Sequence, residues 1–166
     1  MIVAVIIAGL TFAATAILHL GVLHGVARRI DDAFTTGPLL WVGTFGLIGL
    51  LHVTEAGFYA AALKAGQALG LGGFASADGQ SGWMDTYYFA LVSYTSLGLG
   101  DIYPTGHLRL IAGVASLNGF LLISCSAALL FRMVSRPHFS SSEQAPPLSK
   151  TRLPRAAPSV PGRQRR

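Results

Sequence analysis

The sequence predicts an all-α membrane protein with three transmembrane helices and one short helix that enters and returns on the same side. Three observations lead there. Apolar residues make up 52% of the chain and charged residues only 11%, with a mean hydropathy of +0.55, whereas soluble domains carry about 25% charged residues. Three runs are long and apolar enough to cross a bilayer, which takes about 20 residues. Basic residues cluster at Arg28-Arg29 and again beyond the last run, where seven of the twelve Lys/Arg residues lie from Arg136 onward. Both clusters belong on the cytoplasmic side. Two full spans between them return the chain to that side and three do not, so a further membrane segment must be re-entrant and the N-terminus outside. The same distribution speaks for orientation, and gives no sign of a nucleic-acid partner.

Residues 1–27 form the first span, free of Lys, Arg, Asp and Glu before Arg28. The alternative is a signal peptide, but a basic n-region and a small-residue cleavage site are both lacking. His19 and His24 stand five apart and so lie on different helical faces. They read as packed or interfacial histidines rather than metal ligands. Thr36-Gly37-Pro38 signals the next helix start, and residues 39–64 form the second span. Its many small residues suit close helix approach. Trp41 and Tyr59 fall where interfacial aromatics belong.

His52 and Glu55 lie inside this second span at i,i+3 and share a face. An ionisable pair at membrane depth is a functional candidate, here a polar or pH-responsive site. The plainer reading is a carboxyl group tied to a neighbouring helix and serving only packing. One His and one Glu fall short of the three or four ligands a zinc site needs.

Residues 65–84 read as a surface loop rich in Gly, Ala and Ser. Asp85 is expected to N-cap a short helix over 85–95, its carboxylate at the positive end of the dipole. That helix is about half the length of a crossing. Residues 96–101 follow as an irregular loop, and residues 107–133 form the last span. Within it Asn118 faces either a water-filled cavity or a neighbouring helix, Gly119 is either a hinge or a close-packing site, and Ser116, Ser124 and Ser126 line water or bond back to carbonyls. Residues 134–166 are basic, rich in Pro and Ser, and expected to be disordered. Their arginines suit an anionic cytoplasmic leaflet. Cys125, the single cysteine, excludes an intramolecular disulfide.

The centre of the chain is Thr95-Ser96-Leu97-Gly98-Leu99-Gly100-Asp101. Irregular backbone at membrane depth is tolerated only where protein buries it or where it lines a watery path. Glycine adopts positive φ cheaply, so alternating Gly and non-Gly residues allow successive carbonyls to point one way. Such a row can replace the hydration shell of K⁺.

This segment resembles the pore loop of the tetrameric potassium-channel family, whose filter usually reads T-V-G-Y-G-D; the likeness extends over roughly 85–132. Ser96 falls on the family's Thr, Leu97 on Val, Gly98 and Gly100 on the glycines, Leu99 on Tyr and Asp101 on Asp. The serine keeps a hydroxyl, and the leucine lacks the bracing phenol. Val92 falls where the family often has a Glu behind the filter. Some bacterial relatives with an extra N-terminal span are similar at H-x-x-E as well. The resemblance implies a bacterial plasma-membrane homotetramer that passes K⁺ through carbonyls of residues 95–100, with Asp101 at the outer mouth. It implies Gly119 as the hinge of a pore-lining helix, K⁺ as permeant ion, no cofactor, and no enzymatic activity. The alternatives are a weakly selective cation channel, an intramembrane enzyme using His52 and Glu55 with Ser93 or Cys125, and a non-conducting subunit.

Overall fold

The computed structural model describes residues 1–32, 38–76 and 82–135. Four helices and two short strands follow in order: α1 (Ile2–Asp32), α2 (Pro38–Ala68), β1 (Phe74–Ser76), α3 (Trp83–Tyr94), β2 (Ile102–Pro104) and α4 (Leu108–Val134). Helices α1, α2 and α4 are each long and apolar enough to cross a membrane. At 1.5 Å per residue, α3 is only about 18 Å long. The Thr36-Gly37 helix-start signal and all but the first residues of the basic 134–166 segment lie outside the described residues.

Two apolar clusters fix the helix order. One joins Ala8 of α1 to Ala56, Tyr59, Ala60 and Leu63 of α2 and to Leu108, Ile111 and Ala115 of α4. The other joins Leu23, Val26 and Ile30 to Ile48 and Leu51 and to Leu129 and Met133. The start of α1 therefore lies beside the end of α2 and the start of α4. Helix α2 runs antiparallel to its two neighbours.

The side-chain contacts of Tyr94 place the end of α3 halfway down α2 and α4. Its hydroxyl reaches Glu55, and a Cβ on Gly119 would collide with its carbonyl oxygen. From there the chain turns back, because β2 pairs antiparallel with β1, with Ala75 opposite Tyr103. A helix of half the needed length thus enters, stops at mid-depth and returns to the side it came from.

The 65–84 segment expected to be a plain loop contributes β1 to this two-stranded sheet. His107 N–H donates to the Leu71 carbonyl at 2.7 Å, and Thr105 N–H donates to that of Gly73 at 2.8 Å. Gly106 has φ +58°, and a Cβ there would press on the Leu71 carbonyl at 2.6 Å. Backbone approach this close needs glycine.

Two expectations are corrected. The N-cap of α3 is Gly82, and Asp85 sits at N3, accepting the Gly82 N–H at 2.8 Å. The carboxylate still meets the helix dipole, one turn further in. Tyr59 is fully buried rather than interfacial, its hydroxyl 2.9 Å from Asn118 Nδ2. The small residues of α2 do allow close approach, with Ala56, Ala60 and Ala62 buried in the core and Gly66 against Leu108 and Ile111 of α4.

Gly119→Ala is expected to lower stability by about 1–3 kcal/mol, the usual cost of overpacking, read as a lower melting temperature in detergent. Gly113→Ala, which meets nothing within 4 Å in the chain, is the control.

Candidate functional site

The first part of the site is the turn that ends α3. Thr95 is the C-cap, Ser96 N–H donates to the Ser93 carbonyl at 2.9 Å, and Leu97 N–H to that of Val92 at 3.0 Å. These are the two hydrogen bonds of a Schellman cap, with Ser96 in the left-handed position that usually belongs to Gly. Ser96 has φ +58° and is the one non-glycine with positive φ among the described residues. Gly98 (φ +56°) and Gly100 (φ +80°) follow. Every second residue from 96 to 100 is therefore left-handed, an alternation that the sequence announced at the glycines only. A left-handed serine costs about 1–2 kcal/mol. Its hydroxyl is held 3.1 Å from that of Ser116, which itself donates to the Ser93 carbonyl at 2.8 Å.

Within the chain a Cβ at Gly98 or Gly100 meets nothing within 4 Å, so backbone conformation, and not crowding, demands glycine there. The Leu97 and Leu99 side chains are 63% and 58% exposed.

Asp101 sits where the loop leaves for β2. Its Oδ2 accepts the Tyr88 hydroxyl at 2.8 Å, and its Oδ1 accepts the Ile102 N–H at 3.0 Å. The Tyr88 bond, with help from the backbone, holds the Asp101 carboxyl below the ordinary carboxylate range. Val92 is buried and apolar; a tie between α3 and the loop comes instead from Tyr88. Sequence reasoning passed over Tyr88, although it stands on the short helix one turn after Asp85.

The second part of the site is a closed ring of side chains at mid-depth. Glu55 Oε1 lies 2.9 Å from His19 Nδ1. His19 Nε2 is 3.3 Å from Ser126 Oγ, which is 3.1 Å from His52 Nε2. His52 Nδ1 is 2.9 Å from the Tyr94 oxygen, and Tyr94 donates to Glu55 Oε2 at 2.5 Å. His52 Nδ1 is also 3.3 Å from Glu55 Oε2. All four helices contribute. Glu55, His19 and Tyr94 are fully buried, the His52 side chain is 17% exposed, and along α1, α2 and α4 the ring lies between the two apolar clusters.

The pairing of His52 with Glu55 was legible from their spacing; His19, Tyr94 and Ser126 were not recognised as members of a common site. His24, by contrast, is exposed. His19, His52 and Glu55 bring one nitrogen or oxygen each within 4.8 Å of one another, but each of those atoms is already engaged by a protein partner, so they make a hydrogen-bonded ring and not a ligand set. Ser126, His52 and Glu55 also stand in the order of a hydrolase triad. Ser126 is buried, however.

Asn118 takes the interhelical alternative and does not face a cavity. It is fully buried and bonds to Thr15 of α1 at 2.5 Å and Tyr59 of α2 at 2.9 Å. Gly119 beside it is where α4 meets the Tyr94 carbonyl, so close packing accounts for this glycine. Ser124 bonds back to the Phe120 carbonyl, and Cys125 is exposed.

Residues 45–136, more than half of the chain, match the model of the ion channel family, and the chain belongs to it. No curated protein and no solved structure matches the chain.

Tyr88→Phe is expected to raise the Asp101 titration towards the ordinary carboxylate range. The bond favours the ionised form, so its contribution is present above the ordinary pKa and is lost as pH falls through the depressed one. Carboxyl carbon NMR of the wild type and variant checks the shift and its sign.

Proposed function

We propose that this ion channel subunit assembles as a homotetramer and conducts K⁺ passively through residues 95–100. The observation that carries the proposal is the left-handed backbone at Ser96, Gly98 and Gly100. It supports successive carbonyls turned to one side, the arrangement in which oxygen dipoles replace the water around K⁺. One chain supplies one strand of oxygens, and a coordination shell takes several, so copies must meet about an axis. The exposed Leu97 and Leu99 side chains suit burial against neighbouring subunits.

In this mechanism K⁺ loses water at the mouth, occupies successive sites between Gly100 and Thr95, and is displaced by the ion behind it. The Ser96 carbonyl belongs to the innermost sites, its hydroxyl being held on Ser116 of α4, and Asp101 concentrates cations outside. The C-terminal end of α3 presents partial negative charge at mid-depth, which favours a cation in the wider space beyond. The N-terminus lies outside and the basic 134–166 segment in the cytoplasm, where anionic lipid suits its arginines.

A weakly selective cation pore is the second reading, favoured by one feature: Leu99 has no hydroxyl with which to brace the loop. Purified protein in liposomes is expected to pass rubidium well ahead of sodium, and Gly98→Ala to abolish flux because alanine resists the left-handed backbone. Equal permeation of the two ions defeats the K⁺ assignment. Full flux in Gly98→Ala defeats the pore loop itself.

A further inference from the structure

Five hydrogen bonds close the ring of Glu55, His19, Ser126, His52 and Tyr94, and each needs one hydrogen. Tyr94 and Ser126 supply one each, a neutral imidazole supplies one, and an ionised carboxylate supplies none. With Glu55 ionised and both histidines neutral, four hydrogens face five links.

Geometry locates the gap. Tyr94 donates to Glu55 Oε2, so its oxygen accepts from His52 Nδ1–H. His19 Nδ1–H donates to Glu55 Oε1. Both Nε2 atoms then turn lone pairs towards the one hydroxyl of Ser126, at 3.1 Å and 3.3 Å, and only one can be satisfied.

We infer that the ring is a binding site for one proton beyond that four-hydrogen state. With the proton on either imidazole, its Nε2–H donates to Ser126, Ser126 donates to the other ring, and the imidazolium balances ionised Glu55. With the proton on Glu55 Oε1, that oxygen donates to His19 Nδ1, His19 Nε2–H donates to Ser126, and Ser126 donates to His52. These forms differ only by shifts of hydrogens along existing bonds. All are electrically neutral, as a dry interior favours, and all satisfy every link.

The groups that face the ring fit this count. Helix α1 brings His19 and the neutral Thr15. Helix α2 brings His52, Glu55 and Tyr59, whose ring lies 6.4 Å from that of Tyr94. Helix α3 brings Tyr94, and α4 brings the neutral Ser126 and Asn118. Removing the proton opens one link, and adding another leaves a buried net charge. Tyr94 precedes Thr95 directly, so on the pore reading above, the ring's proton bears on conduction. The proton count itself does not depend on which ion passes.

The test is nitrogen and carboxyl-carbon NMR on the full chain, labelled at His and Glu, washed with chelator and placed in lipid nanodiscs at neutral pH. His19→Gln and His52→Gln assign the two rings. One excess proton is expected: either a carboxylate with one imidazolium in total, or a carboxylic acid with two neutral rings. A carboxylate with two neutral rings, or with two imidazoliums, overturns the inference.

Glu55→Gln gives an independent check. Its amide both accepts and donates, so it completes the five links with neutral histidines and no added proton. The variant is expected to melt near the wild type, well above Glu55→Ala, and to lose the ring's titration. If Glu55→Gln melts as low as Glu55→Ala, or keeps the titration, the inference fails. Neither readout depends on flux, so such a failure leaves the pore reading standing.

Discussion

Tyr94 ends the short helix at the depth of Glu55 because a phenol in an apolar interior needs a partner, and Glu55 is where it finds one. The same carboxylate holds His19 of α1, and Ser126 of α4 ties His19 to His52. Lipid offers helices no hydrophobic drive to associate, so packing and polar contacts must do it. Here one carboxylate, two imidazoles and two hydroxyls join all four helices at one level, between the two apolar clusters. Removing a single member leaves buried partners unsatisfied, a cost of roughly 1–3 kcal/mol each. The depth at which the helix stops, and so the point where the 95–101 loop begins, follows from this contact.

The loop is then held from three directions. Below it, the Schellman cap turns the chain at Ser96. Behind it, Ser116 touches Ser96, and the Tyr94 carbonyl presses against Gly119. Above it, Tyr88 fixes Asp101 and pairing with β1 takes over the outgoing strand. Residues 97–100 stand between these supports with their apolar side chains open. A segment so anchored at both ends and so bare in the middle is suited to being completed by other subunits.

Much of this was legible in the sequence for a simple reason: hydropathy and charge placement are one-dimensional records of the bilayer. The three spans, the half-length helix and its re-entrance follow from run lengths and from Arg28-Arg29 against the basic end. Glycine at 98 and 100 likewise declares positive φ directly. The ring was not legible, because each of its hydrogen bonds joins residues 36 to 107 apart and only His52 and Glu55 share a helix face. His19 looked like any histidine on an apolar helix. Ser96 was hidden differently: its left-handed backbone belongs to a helix cap, where the sequence carries serine in place of the expected glycine. Asn118 was ambiguous by nature, since a polar residue midway along a span suits a cavity and an interhelical bond alike; its contacts with Thr15 and Tyr59 decided between them.

The central claim is that carbonyls of residues 95–100 from several copies line one axis. Anomalous diffraction from crystals of the full chain grown with thallium, a heavy stand-in for K⁺, tests it most directly. A file of peaks on a fourfold axis at the level of Thr95 to Gly100 is the predicted result. An axis with no peaks there, or copies whose 95–100 segments do not meet, contradicts it.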